Sequence, residues 1–185
     1  SRVEVNGQTV LSVVDGMRAF EGTARRILAK NGIENPEPGQ WYSQQDWLDA
    51  FGEVANGVGP ATLFAIGRRI PENAEFPPEI DNIVAALSAI DVAYHMNHRI
   101  GDKVLFEPES GTMHEGIGHH QFESTGEREA IVRCPNPYPC DFDRGIIDAM
   151  AHRFRPHEDQ HPSVEHVDGE CRKEGAESCA YRVRW

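Results

Sequence analysis

Four cysteines fall into two pairs, and they are the residues whose type and spacing carry chemistry most directly. Cys134 and Cys140 flank a Pro-rich loop, while Cys171 and Cys179 flank a turn around Lys173-Glu174-Gly175. Four thiolates in a tetrahedron are the usual arrangement of structural zinc, and the same set can hold an iron–sulfur cluster. The gaps of five and seven residues within the pairs are wider than those of zinc fingers. Each pair lies where an expected strand or helix ends, so an antiparallel return of the chain between them brings all four sulfurs to one ion. Asp168, three residues before Cys171, can replace one sulfur as a carboxylate ligand. An even cysteine count also admits disulfides, and one or two of the four, Cys134 first, can be plain buried thiols. A chain of 185 residues has no need of disulfides, and no secretory pattern opens it. Zinc is therefore the expected cofactor, with haem or an iron–sulfur cluster as alternatives.

Nine histidines form the second reservoir of chemistry. His95 and His98, three apart, are expected on one helical face. His119 and His120 are expected on a strand, where neighbours point to opposite faces and one must turn inward. An inward histidine can ligate haem iron or another metal, or hydrogen-bond a ligand such as a phenol. His152, His157, His161 and His166 surround a polar loop and read as solvated. The serine-hydrolase elbow, the phosphate-binding loop, the dinucleotide fingerprint and the zinc-protease motif are all missing. Near the last of these, Met113-His114-Glu115 continues as Gly116-Ile117-Gly118 before His119, which breaks the spacing. A non-catalytic role is expected, with an enzyme acting on a tetrapyrrole or aromatic substrate as the catalytic alternative.

The elements that must position these groups follow from periodicity and breakers. Val10 to Val14 reads as a short strand. Met17, Phe20, Ala24, Ile27 and Leu28 follow a helical period that Asn31-Gly32 stops. Ser43 with Asp46 resembles a capping box, and Trp47, Phe51 and Val54 then share a helical face. Gly57, Gly59 and Pro60 end that helix and start another carrying Leu63, Phe64 and Ile70, up to a breaker loop from Pro71 to Pro78. Ile80, Ile83, Val84, Leu87, Ile90 and Tyr94 form a buried stripe on the next helix, with His95, His98 and Arg99 in its last turn. Strands are expected over Val104–Phe106, Gly116–Phe122 and Glu129–Cys134. Asp141 can cap a helix that carries Phe142, Ile146, Ile147, Met150 and Phe154. The end alternates Cys179, Tyr181, Val183 and Trp185 against Ala180, Arg182 and Arg184, the return arm of a hairpin with one face on a core. The expected class is α+β: N-terminal helices over residues 1–79 pack on a C-terminal antiparallel sheet, with one embedded helix and a final hairpin over 80–185, all in a single domain.

A formal charge of -12 leaves no basic footprint for nucleic acid and no attraction to an anionic membrane surface. No apolar run approaches the roughly 18 residues of a membrane span. The expectation is a soluble, cytoplasmic domain of a longer chain.

The run Cys171-Arg-Lys-Glu-Gly-Ala-Glu-Ser-Cys179-Ala-Tyr-Arg-Val, with the helix from Asp141 to Phe154 before it, resembles the end of the 4-vinyl reductase-like domain. The relatives of that domain include haem nitric-oxide-binding sensors and the sensor domains of phenol-responsive activators. The resemblance covers roughly residues 80 to 185. It implies a small-molecule pocket between helices and sheet, with a zinc ion bracing the pocket wall. Cys171 and Cys179 then match the last two ligands, Cys140 the first, Asp168 stands near the acidic position, and Cys134 is an extra sulfur. The haem sensors carry a Tyr-x-Ser-x-Arg motif; here Tyr94 and Arg99 have no serine between them. Trp47, Phe51, Phe64 and Tyr94, with a histidine such as His98 or His120, are expected to line the pocket and receive a small hydrophobic ligand. An attached output domain would read the resulting shift of helix 80–98. A homodimer and a purely structural adaptor are further expectations.

Overall fold

The computed structural model describes residues 2–185. The chain starts with strand β1 (Val3–Asn6) and turns into helices α1 (Gly7–Val10) and α2 (Ser12–Met17). The Val10–Val14 segment is thus helical, not a strand. Asn6 sets this locally, because its side chain accepts a hydrogen bond from the Gln8 N–H at 2.8 Å and caps the first turn. Val10, Val13, Val14 and Met17 then all reach the core at helical spacing. The helix expected from Met17 onward is broken at Arg18–Phe20 and resumes as α3 (Glu21–Lys30). Strand β2 (Trp41–Ser43) leads into α4 (Gln44–Gly57), where Ser43 Oγ accepts from the Asp46 N–H as the spacing predicts.

Helix α5 (Pro60–Asn73) has Pro at its first position, where a missing N–H costs nothing. It runs through Pro71 to Asn73, so the breaker loop begins three residues later than expected. Helix α6 (Ile83–Met96) is capped by Asn82, whose side chain accepts from the Ala85 N–H. It ends before His98: His98 and Arg99 belong to strand β3 (His98–Ile100), not to the last helical turn. Val104–Phe106 divides into β4 (Lys103–Val104) and β5 (Phe106–Glu107), the latter paired with β6 (Thr112–Met113). The strand expected from Gly116 starts only at β7 (Gln121–Gly126), because Gly116 and Gly118 take positive φ and bend the chain into a loop. Then come β8 (Glu129–Cys134), α7 (Cys140–Arg153), β9 (Ser163–His166) and β10 (Cys179–Arg184).

The order β7-β8-β10-β9 makes the expected C-terminal antiparallel sheet, closed by the β9–β10 hairpin. A second antiparallel sheet, β2-β1-β3-β4, joins two strands from the part read as helical, β1 and β2, to β3 and β4 just after α6. Its strands of two to four residues are too short for a period-2 pattern to register. The α+β class stands.

Two clusters of buried side chains make the interior. One gathers Val10, Leu28, Trp47, Phe51, Leu63 and Ile66; the other gathers Leu87, Ile90, Val132, Ile147, Met150 and Tyr181. Ile146 on α7 packs against both. Helix α7 also crosses α5 in backbone contact. A Cβ on Gly67 would lie 2.2 Å from the Phe142 carbonyl oxygen, and one on Gly145 would lie 2.2 Å from that of Phe64. Only glycine fits at this crossing, and its closeness fixes the walls of the cavity described next.

Candidate functional site

A cavity of about 90 Å³ lies between α5, α6 and α7. Its walls are largely apolar: Trp47, Ile70, Phe76, Ile90, Ile146 and Met150 contribute, with Phe142 at one side. The polar lining is concentrated in Tyr94, His98, His120 and Tyr138. Of the residues expected to line a pocket, Trp47, Tyr94, His98 and His120 do so. Phe51 and Phe64 do not. Phe51 is fully buried behind Trp47 and Phe142, with ring centroids 4.7 and 4.8 Å away. Phe64 lies under the Arg144 guanidinium, 4.6 Å from its ring, because the α5–α7 crossing turns that face of α5 toward α7's polar side.

The polar groups are tied in a fixed pattern. His98 Nδ1–H donates to the Tyr94 carbonyl at 2.7 Å, which leaves Nε2 to accept from the Tyr138 hydroxyl at 2.6 Å. Gln44 Nε2 donates to that same hydroxyl at 3.2 Å. The Tyr94 hydroxyl donates to the Ile117 carbonyl at 2.6 Å. Burial lowers the His98 pKa to about 4, outweighing its hydrogen bond to Tyr94, so the ring is neutral. Burial raises Tyr94 and Tyr138 well above the usual phenol range.

His120 differs from these. Its Nε2 lies 3.1 Å from Asp143 Oδ1, and both side chains are buried. Asn136 Nδ2 lies 3.4 Å from the same nitrogen; the nearer carboxylate, which can only accept, takes the Nε2–H and leaves Nδ1 as the lone-pair nitrogen. That Nδ1 is buried and has no hydrogen-bond partner. The other Asp143 oxygen, Oδ2, is 3.6 Å from Arg172 Nη2. Arg172 also donates to the carbonyls of Asn136 and Tyr138, and its backbone N–H reaches Cys179 Sγ at 3.4 Å. Asp143 and Arg172 therefore join the cavity wall to the cysteines.

Three of the four cysteines converge. Cys140 Sγ is 3.0 Å from Cys179 Sγ and 3.7 Å from Cys171 Sγ, and the Cys171–Cys179 separation is 4.0 Å. The fourth side chain within reach is His166: one ligand atom from each of Cys140, His166, Cys171 and Cys179 lies within 4.8 Å of the others. A tetrahedron with zinc–sulfur bonds of roughly 2.3 Å has sulfur–sulfur edges of roughly 3.8 Å, close to two of the three distances. Cys134 is not part of this group. It faces Cys179 in register across β8 and β10, yet its thiol clusters with His120 and Asp143 instead. Asp168 is not part of the group either. His166 reaches it because β9 pairs with β10, placing His166 opposite Tyr181 and beside the hairpin cysteines. Burial works against the Cys179 thiolate, but hydrogen bonds from Cys140 and Arg172 overcome it and hold the thiol below its ordinary pKa. Burial and its two sulfur neighbours push Cys140 up to about 12. A metal ion bound by this group would take the place of its thiol protons.

Sequence reasoning missed Tyr138, Asp143, Arg172 and His166. In sequence, Asp143 looks like a helix-start acid and Tyr138 like part of a rigid turn. His166 carried a usable signal: it lies two residues after the buried Val164 on one strand, hence on the same face.

No protein-family model and no curated protein matches the chain. Solved structures do. An H-NOX protein from S. oneidensis in the Fe(II)NO ligation state superposes with a TM-score of 0.67 at 13% identity, covering 97% of this chain and 98% of that one. A mutant of T. tengcongensis H-NOX gives 0.63 at 16% identity, over 97% and 96%. An oxygen-binding H-NOX domain related to soluble guanylate cyclases gives 0.61 at 16% identity, over 97% and 94%. The chain has the H-NOX fold. No helix among the described residues is long and apolar enough to cross a membrane.

Proposed function

We propose that this chain is a sensory domain that binds a small, mostly apolar ligand carrying one hydrogen-bond donor. The carrying observation is a largely apolar cavity lined by His120, whose buried Nδ1 has no hydrogen-bond partner. Every other ring nitrogen or hydroxyl of its polar quartet already has a partner. An acceptor in an apolar cavity selects a donor, such as the hydroxyl of a phenol, since burying it unmatched costs about 1–3 kcal/mol. A cavity of roughly 150 Å³ takes benzene, so a single ring enters here after a modest shift of Ile146 or Met150. The H-NOX fold supports the sensory reading, and an output partner, in the same chain or another, would read the movement of α6. The domain is taken as one unit over 1–185, cytoplasmic, with a homodimer as a candidate assembly.

Cys140, His166, Cys171 and Cys179 form the zinc site of this reading. Bound zinc would brace β9, β10 and the start of α7, and through Arg172 it would hold Asp143 and His120 in place. The cysteine hairpin is also what supports a 4-vinyl reductase-like relation.

Calorimetry with phenol, toluene and benzene tests the ligand class. Phenol is expected to bind at least tenfold more tightly than toluene, and the preference is expected to vanish in His120→Phe. Equal affinities in the unaltered protein would refute it.

Haem is the second reading, favoured by the fold and by neighbours described in terms of heme, Fe(II)NO and oxygen. Tyr94, His98, His120, Tyr138 and Met150 are the lining side chains with axial-ligand chemistry. The cavity as it stands does not fit a porphyrin. Ligand pockets for molecules of that size run from roughly 300 to 1,000 Å³, and neither Arg nor Lys lines this one to meet carboxylates. A Soret band in protein purified from haem-supplemented cells would establish the haem reading over the first.

A further inference from the structure

A second cluster of ligand-type side chains lies outside both the cavity and the thiol group. Asp91 and His95 are one turn apart on α6, and His119 comes from the loop before β7. One ligand atom from each lies within 4.8 Å of the others. Asp91 Oδ2 is 2.9 Å from His119 Nδ1. His95 Nδ1–H donates to the Asp91 backbone carbonyl at 2.8 Å and lies 3.6 Å from Asp91 Oδ1, so Nε2 is the nitrogen His95 has left to offer an ion. The two imidazoles lie over one another with centroids 5.1 Å apart. Glu115 completes the surroundings, its Oε2 2.9 Å from His119 Nε2.

Two features of this cluster ask for an occupant. His95 is fully buried, yet its Nε2 has no hydrogen-bond partner, and an orphaned buried nitrogen is rare enough to need a reason. His119 is wedged between two carboxylates, an arrangement in which a proton stands where a larger cation can. The cluster is also reachable: about a fifth of the Asp91 and His119 side-chain surface meets solvent, so an ion has an entry path.

We infer that Asp91, His95 and His119 form a second metal site, taking a divalent first-row transition ion such as zinc, cobalt or manganese, with Glu115 as an outer carboxylate. Two imidazoles and one carboxylate are borderline ligands that suit such ions and leave further positions for water. The donor set is nitrogen and oxygen only, which separates it chemically from the sulfur-rich group at Cys140, Cys171 and Cys179. Its position matters for the rest of the molecule, because Asp91 Oδ1 also accepts the His120 backbone N–H at 2.8 Å. A cation held at Asp91 therefore stiffens the segment that carries His120 into the cavity wall.

Cobalt(II) titration of the metal-free full chain tests the site, since thiolate-bound cobalt has intense sulfur-to-metal charge-transfer absorption and a nitrogen–oxygen site has only weak ligand-field bands. Two equivalents are expected to bind, one with and one without the charge-transfer signal. His119→Gln and, separately, His95→Gln are expected to remove the weak-band equivalent and leave the charge-transfer one. Cys171→Ser is expected to do the reverse. Loss of thiolate-bound cobalt in every variant, with the weak-band equivalent intact in His119→Gln, would overturn the site. So would saturation of the folded, unaltered protein without any weak-band equivalent. Circular dichroism of each variant confirms that the fold is retained, and the conservative His119→Asp, which keeps an oxygen ligand, is expected to restore binding in part.

Discussion

Asp143 Oδ1 sits 3.1 Å from His120 Nε2 in a region that water does not reach, one pair away from the cavity and one from the cysteines. Asp143→Asn keeps the shape but removes the charge that Arg172 and His120 both address. Breaking a buried pair on one side costs about 3–5 kcal/mol, so urea denaturation is expected to show a loss of that order. Phenol affinity is expected to fall with it, because the His120 tautomer is no longer fixed.

The α5–α7 crossing leaves no room for a methyl group. Gly145→Ala sets a carbon against the Phe64 carbonyl, and overpacking of this kind costs about 1–3 kcal/mol. A drop of the denaturation midpoint at unchanged slope is the expected result, whereas Gly22→Ala, which meets nothing within 4 Å, is expected to leave the midpoint in place or raise it.

The cysteines separate by metal analysis. Cys134→Ser is expected to keep the metal of the sulfur-rich site, and His166→Ala to weaken its retention against a chelator. Cys171→Ser is expected to lose that metal and to melt at a lower temperature. Equal metal loss in Cys134→Ser would mean that the thiol pairs with Cys179 rather than with His120 and Asp143.

The pH dependence follows from His98. In the unfolded chain this ring takes up a proton near pH 6.5, while in the folded protein it resists until about pH 4. Between those values the unfolded state binds more protons, so stability falls as pH is lowered through this window. A shift of this size corresponds to roughly 3 kcal/mol. Denaturation midpoints measured from pH 7 to pH 4 are expected to fall accordingly, and the slope is expected to flatten in His98→Gln.

Much of the fold was legible because long helices write their own period. Ile83, Leu87, Ile90 and Tyr94 announce α6, and Ser43 with Asp46 announces α4. The alternating end announces β10. The short sheet β2-β1-β3-β4 was not legible, since its pairing partners, Val5 with Tyr42 and Val5 with His98, are far apart in the chain and make no local pattern. The site divides in the same way. Cys140, Cys171 and Cys179 could be grouped because the hairpin and helix ends place them. Cys134 was misgrouped because spacing records how far apart residues are and not which way a strand turns them. Asp143 reads in sequence as a helix-start acid and Arg172 as an ordinary turn residue, because a buried charge looks like any other charge until its partner is known.

The contact between Gly67 and Gly145 has a mechanical result. With backbone resting on backbone, α5 and α7 form a single stiff beam with nothing compressible between them. A guest that pushes aside the Ile146 or Met150 side chain meets backbone behind it that cannot retreat. Displacement is delivered to the opposite wall, where α6 carries Tyr94 and Asp91, and from there to the segment ending in His120. The inflexible pair thus decides which part of the molecule can act as the pointer.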